Sequence, residues 1–250
     1  MLNIDIIPCL NDNYSYLLYD ENTKIVAIVD PADFNRCNQA IEKKYKKLDY
    51  ILNTHHHYDH VGGNLKLKKK YKSIILGSEE DKSRIPDIDI ILKDKQKIKI
   101  GDKIVEIIFI PGHTSGHIAF YLKDEKIVFT GDTLFSLGCG KIFEGTSEQM
   151  FSSLNKLKSL PVDTKIYCGH EYTKKNFEFC IEYDRDNEYL KKKREWINSK
   201  NITVPVSIEE ELKTNIFLRC NEPSIKKALN LGNASDQEVF TKLRVLKDNF

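Results

Sequence analysis

Residues 54–60 read T-H-H-H-Y-D-H, and no other feature constrains this chain as strongly. His55, His57, Asp59 and His60 are donors of the kind that zinc and its first-row neighbours bind. In extended backbone His55 and His57 point one way and His56 the other. Asp59 and His60 follow at a turn, where they can serve a second ion close by. The apolar run Tyr50-Ile51-Leu52 precedes the heptapeptide and Gly62-Gly63 follows it, which sets it apart from a solvated histidine run.

Three further segments have the same character. His113 sits in Pro111-Gly112-His113-Thr114-Ser115-Gly116-His117, Asp132 in Thr130-Gly131-Asp132-Thr133, and His170 in Cys168-Gly169-His170-Glu171. Each follows a short β-type run, at residues 104–110, 126–129 and 165–167. Loops leaving the same kind of strand end can converge on one edge of a sandwich, and their glycines give the backbone room to do so. The donors His55, His57, Asp59, His60, His113, Asp132 and His170 exceed the three protein ligands that a catalytic zinc usually takes. They divide naturally between two ions.

These motifs resemble those of the metallo-β-lactamase superfamily, whose H-x-H-x-D-H signature is His55-His56-His57-Tyr58-Asp59-His60. Within it the chain is most similar to glyoxalase II, the hydroxyacylglutathione hydrolases. Narrower matches are the full T-H-H-H-x-D-H form, Gly131-Asp132-Thr133-Leu134-Phe135, Gly138-Cys139-Gly140-Lys141 and Cys168-Gly169-His170-Glu171-Tyr172. The ending Arg244-Val245-Leu246-Lys247-Asp248-Asn249-Phe250 resembles the family's R-x-x-K-D-x-F tail. The similarity covers essentially the whole chain. It implies an α/β fold, a metallo-β-lactamase-type αββα sandwich followed by a small C-terminal helical domain.

The residue pattern is consistent with that architecture. The 250 residues suffice for one large domain or for a large and a small one with ample core, and 40% hydrophobic content fits a soluble globular protein. Strand-like runs at residues 4–7, 14–19 and 25–29 are separated by turn formers such as Asn11-Asp12-Asn13. Residues 35–47 and 65–71 read as helices, 74–76 as strand, and 98–100 with 104–110 as a hairpin around Gly101-Asp102. A helix is expected over 147–160, with Thr146 and Gln149 as capping box and Pro161 as stop. Residues 173–200 are largely helical and charged, and Ser207/Glu210 and Ser235/Glu238 open two further helices. The boundary falls near residue 172, giving a metal-binding catalytic domain over 1–172 and a helical substrate-binding domain over 173–250.

Composition narrows the function classes. A net charge of +2 lacks the bias of a general nucleic-acid-binding surface. The lysines between positions 66 and 72 read as a solvated helix face. The N-terminus lacks the basic and apolar regions of a signal peptide, and no apolar run approaches the ~20 residues that span a bilayer. The six cysteines show no C-x-x-C spacing and read as reduced thiols. Cys139 and Cys168 lie near site residues but are not expected as ligands, since the histidines and aspartates already fill two metal shells. The expectation is a cytoplasmic monomer without nucleic-acid or membrane partners.

The resemblance assigns His55, His57 and His113 to the first ion and Asp59, His60 and His170 to the second, with Asp132 bridging. The ions are expected to be zinc, with iron or manganese as alternatives. Two cations flanking one water bring its pKa from ~15.7 towards ~7, so a metal-bridging hydroxide would attack the substrate carbonyl. The resemblance thus implies Asp132 and Asp59 as the catalytic carboxylates, Asp59 by helping to orient the water, since a carboxylate bound to metal is too acidic to be a strong base. No protein nucleophile is needed, and Ser115 is a poor candidate for one. His56 should face a hydrogen bond outside the ligand set, and His117 reads as a structural histidine.

The implied substrate is an S-(2-hydroxyacyl)glutathione, S-D-lactoylglutathione in the first instance, giving glutathione and D-lactate in the second step of methylglyoxal detoxification. Lys141, Tyr172, Arg244 and Lys247 fall where the family contacts the glutathione moiety. One departure stands out. Phe143 replaces the tyrosine that the family often carries two residues after the lysine, which removes a hydrogen bond contributing on the order of 1 kcal/mol. A different thiol carrier is therefore one alternative. A mononuclear iron persulfide dioxygenase of the same fold is another, although that family carries T-H-x-H-A-D-H and lacks this helical tail. A non-catalytic thiol-conjugate module would be expected to have lost a ligand, and the near-neutral charge disfavours a nuclease.

Overall fold

Alternating apolar residues and tight turns at the N-terminus build a meander. In the computed structural model, which describes residues 1–250, β1 (Leu2–Cys9) pairs antiparallel with β2 (Asn13–Asp20), and β2 with β3 (Val26–Val29). The chain continues through α1 (Phe34–Lys44), β4 (Tyr50–Leu52), the one-turn α2 (Tyr58–Val61), α3 (Asn64–Tyr71), β5 (Ile74–Ser78) and β6 (Ile90–Leu92). Strands β3 to β6 pair in parallel. Period-two alternation gives this sheet two apolar faces. Leu17, Ile28, Ile51 and Ile75 form one row across it and bury against Cys37, Ile41 and Leu67 of the helices. The turn expected at Asp59-His60 tightens into α2, where the His57 carbonyl accepts from the His60 and Val61 N–H groups.

A second antiparallel run follows: β7 (Lys97–Ile100), β8 (Lys103–Phe109), β9 (Ile118–Leu122) and β10 (Ile127–Gly131). The hairpin read at Gly101-Asp102 is present. Gly101 has φ +66°, and a Cβ there would collide with Asp20 and Thr23. Tyr16 of β2 meets Phe129 of β10 with ring centroids 5.3 Å apart, so these two layers share a buried interior. The structure groups residues 1–109 and 115–131 as one compact unit, and 110–114 with 132–250 as a second. That division falls after Gly131, whereas the change in sequence character lies near residue 172.

The second unit carries the short hairpin β11 (Leu134–Phe135) and β12 (Gly138–Cys139), then α4 (Ser147–Lys158), β13 (Lys165–Cys168), α5 (Thr173–Tyr183), α6 (Glu188–Asn198), β14 (Val206–Ser207), α7 (Ile208–Thr214), α8 (Pro223–Ala228) and α9 (Asp236–Asp248). All three capping boxes read from the sequence form, at Thr146/Gln149, Ser207/Glu210 and Ser235/Glu238. The helical pattern over 173–200 divides in two. Asn187 caps α6 by accepting from the Tyr189 and Leu190 N–H groups, and it donates to Asp184, just beyond the end of α5. No helix is long and apolar enough to cross a membrane.

Helical side chains hold the 134–140 hairpin by its backbone. Asn215 donates to the Gly138 and Phe135 carbonyls at 3.0 and 3.3 Å, and Asn176 donates to Ser136 O at 3.0 Å. The fully buried Glu211 accepts from Leu137 N at 2.7 Å and from Asn215 at 2.9 Å. Burial pushes the Glu211 carboxyl above its ordinary value of 4.5, against the opposing pull of Lys193 and these N–H groups. The folded protein therefore keeps that proton to higher pH than the unfolded chain does. Its contribution is full below about pH 4.5 and declines as pH rises through the raised folded value. Glu211→Gln, which stays neutral, should flatten that limb of the stability profile. Glu211→Ala, which strands Leu137 N–H, should cost roughly 3 kcal/mol in urea unfolding.

Candidate metal centre

Each unit positions its own part of the donor set. In the first, the parallel pairing of β3 with β4 brings their C-terminal ends side by side, with Asp30 N donating to Leu52 O at 2.9 Å. Asp30 then accepts from Thr54 N at 2.8 Å, Thr54 Oγ1 at 2.6 Å and His60 Nδ1, 3.1 Å away. It is 2% exposed and adopts φ +48°, so the surrounding bonds dictate its conformation. Asp30, His55 and His60 offer ligand atoms within 4.8 Å of one another. The Asp30 oxygens are already committed, so this carboxylate acts as the support that orients His60. With Nδ1–H donated to Asp30, Nε2 is the nitrogen that His60 would offer a cation.

The other histidines of the heptapeptide separate as alternation requires. His55 is fully buried, with Nε2 3.1 Å from His57 Nδ1, and its ring stands 4.1 Å from that of His60. His56 turns to Asp81, 3.3 Å from its Nδ1. His117 is fully buried and stacks on His55 at 4.6 Å. Asp59 is held by Asn13, whose amide donates to its Oδ2 at 2.9 Å and its carbonyl at 3.0 Å. Asn13 and Asp30 both escaped the sequence reading. Asn13 looked like turn chemistry, and Asp30 is a lone carboxylate 24 residues before Thr54 with only a strand end and Pro31 to mark it. The Ser115 hydroxyl accepts from Arg84 at 2.8 Å.

In the second unit two imidazoles converge on one carboxylate oxygen. His113 Nε2 lies 3.4 Å and His170 Nε2 3.2 Å from Asp132 Oδ2. His113 Nδ1 donates to Lys141 O at 2.7 Å, which again fixes the tautomer with Nε2 directed inward. All three residues are at most 5% exposed. Such a donor set, with oriented Nε2 lone pairs and a shared carboxylate, fits a borderline divalent cation. The six cysteines are free and buried. Burial raises the Cys139 thiol and pushes Cys168 up to about 12, so neither resembles a thiolate ligand.

The residues expected to meet substrate sit in different surroundings. Tyr172 stacks on His170 at 4.8 Å, and Phe135, which the sequence offered only as the end of the Gly131–Phe135 match, packs edge-on to both rings. Phe143 is 60% exposed, 5.2 Å from the His113 ring, with Lys141 Nζ 5.7 Å above its face. Lys247 Nζ lies 5.1 and 4.8 Å from the Phe179 and Phe250 rings, and burial lowers its pKa. Arg244, by contrast, is 7% exposed and its guanidinium is spent on protein groups.

Comparison with known proteins decides the family. Residues 11–170 match the metallo-beta-lactamase superfamily and residues 171–250 the hydroxyacylglutathione hydrolase C-terminus. The chain is 52% identical to a hydroxyacylglutathione hydrolase of Pelagibacter ubique, over all of both chains. This chain belongs to the hydroxyacylglutathione hydrolase family. A second relative of that name, from Methylococcus capsulatus, is 43% identical over 100% of this chain and 99% of its own. Among solved structures, ETHE1 from Myxococcus xanthus superposes with a TM-score of 0.72 at 21% identity, covering 98% of this chain and 91% of that one. That likeness shows the shared metallo-β-lactamase fold alone. Membership makes this hydroxyacylglutathione hydrolase family chain a metal-binding enzyme with a helical C-terminal region.

Proposed function

We propose that the chain hydrolyses S-(2-hydroxyacyl)glutathione thioesters through a binuclear metal centre, converting S-D-lactoylglutathione to D-lactate and glutathione. The observation that carries this reading is the convergence of His113 and His170 on Asp132 Oδ2, with Phe143 and Tyr172 packed on those same imidazoles. His55, His57 and His113 would hold one cation and Asp59, His60 and His170 the other, with Asp132 shared. When bound, such a pair supplies hydroxide at neutral pH and polarises the thioester carbonyl.

The chain's own residues prepare that chemistry. Asp30 and Lys141 O fix the His60 and His113 tautomers, and Asn13 fixes Asp59. Fixed donors need no reorganisation when charge develops, the general source of electrostatic catalysis. The departing glutathione thiolate, with a thiol pKa near ~8.5, leaves without a protein acid. Lys141, Tyr172 and Lys247 would meet the glutathione arm, where cations and hydrogen-bond donors suit its two carboxylates. Phe143 offers that arm an apolar ring in place of a phenol.

The deciding experiment is hydrolysis of S-D-lactoylglutathione by the purified protein, with metal content measured on the same sample. Rapid thioester loss with about two metals per chain is expected. Two metals without hydrolysis would reject the glutathione substrate and turn attention to Phe143 and another thiol carrier. One iron per chain with oxygen uptake would replace the hydrolase with a dioxygenase.

A further inference from the structure

Strand β14 pairs with β13 at Lys165–Ser207 and Ile166–Val206, and β13 ends at Cys168, two residues before His170. Beyond that point the Glu171 carboxylate takes over the contact with the neighbouring segment. Its Oε2 accepts from Thr203 N at 2.8 Å, and the Thr203 hydroxyl donates to the same carboxylate at 2.9 Å. Its Oε1 accepts from Thr173 N at 3.2 Å, and the Thr173 and Thr203 hydroxyls lie 2.5 Å apart. Thr173 and Thr203 are each 2% exposed, so these donors depend on protein acceptors.

The same bonds explain how an aromatic residue can open α5. Tyr172 stands at the N-cap, a position that favours Ser, Thr, Asp or Asn, and its side chain makes no capping bond. Its ring lies on His170 instead, 4.8 Å away and 7° from parallel. Glu171 supplies the acceptor from one residue outside the helix, where a carboxylate also suits the helix dipole. The residue between His170 and Tyr172 thereby ties the start of α5 to Thr203. A thiol bond from Cys168 Sγ to His170 O, at 3.4 Å, is a weaker restraint on the same backbone. His170 Nε2 lies 3.2 Å from Asp132 Oδ2, so a shift of that backbone carries the imidazole off the carboxylate oxygen.

We infer that Glu171 is a positioning residue for His170: its carboxylate locks the 171–173 backbone to Thr203 and so sets the imidazole against Asp132. This rests on the proposed metallohydrolase reading, in which His170 would hold a cation, and it gives Glu171 an action through that histidine. Both carboxylate oxygens are needed, because Thr173 N, Thr203 N and Thr203 Oγ1 converge on them from two segments. An amide would turn N–H groups towards some of these donors.

The test compares Glu171→Ala and Glu171→Gln with Asn187→Ala in the full chain. Asn187 caps α6 in the same unit and is outside the donor set, so its loss reports destabilisation alone. Zinc affinity is measured by chelator competition, stability by urea unfolding, and kcat and KM with S-D-lactoylglutathione. Glu171→Ala should weaken zinc binding about tenfold, the lower end of losses for supports of metal-bound histidine, with kcat falling in step. Glu171→Gln, which keeps one acceptor oxygen, should move both in the same direction by less, and it carries the test if Glu171→Ala does not fold. Asn187→Ala should unfold more easily while zinc affinity and kcat hold. The assignment is overturned if the Glu171 variants keep wild-type zinc affinity, if they raise KM alone, or if Asn187→Ala loses zinc affinity to the same degree. A wild-type protein that binds zinc but does not cleave the thioester would reject the substrate reading, while the zinc affinities would still judge Glu171.

Discussion

Replacing Asp132 by alanine should reduce thioester hydrolysis by on the order of 10³-fold, because in the proposed binuclear centre this carboxylate would be shared and would support several kcal/mol of transition-state stabilisation. Its Oδ2 is the point on which His113 and His170 converge. Removing it leaves two imidazoles with no anion between them, so metal affinity should fall with activity. The measurement is kcat alongside metal content after dialysis at matched free zinc. Asp132→Asn separates charge from shape: it keeps the volume but not the anionic oxygens, and should lie close to the alanine variant. Turnover near wild type in Asp132→Ala would end the proposed binuclear mechanism.

Asp30→Ala is expected to combine a functional loss with a structural one. Its carboxylate is the acceptor for Thr54 N, Thr54 Oγ1 and His60 Nδ1. Each stranded buried donor costs about 1–3 kcal/mol, less whatever the site recovers by relaxation, so unfolding should be easier by roughly 3 kcal/mol or more. Loss of the His60 support should weaken metal binding by about 10–100-fold. Asp30→Asn tolerates the φ of +48° yet lacks the charge, and should recover more stability than metal affinity. Denaturation midpoints of zinc-free and zinc-loaded protein separate the two effects. Equal midpoints and equal affinity in Asp30→Ala would show that Asp30 supports nothing.

These two positions differ in how well the sequence announces them. Asp132 stands in Gly131-Asp132-Thr133 after a β-type run and was readable as a donor. Asp30 follows a strand just as directly, but a single aspartate before a proline is ordinary turn chemistry. Only the parallel pairing of β3 and β4 places it against Thr54 and His60. Arg244 shows the same limit from the other side. On a helix it reads as a solvated cation or an anion contact, and its burial depends on Phe217 and on a 139–140 backbone more than a hundred positions away.

The sequence by itself determined the local elements and the donor chemistry. The three capping boxes, the Gly101 hairpin, the opposite facing of His55 and His56, and the metal-capable residues all follow from short-range stereochemistry and ligand type. Tertiary structure alone decided which acceptor fixes each imidazole, which backbone segment Arg244 grips, and where the 173–200 pattern breaks into two helices. Those outcomes turn on hydrogen bonds and burial between residues far apart in the chain, and their strength depends on surroundings that no short stretch of sequence contains.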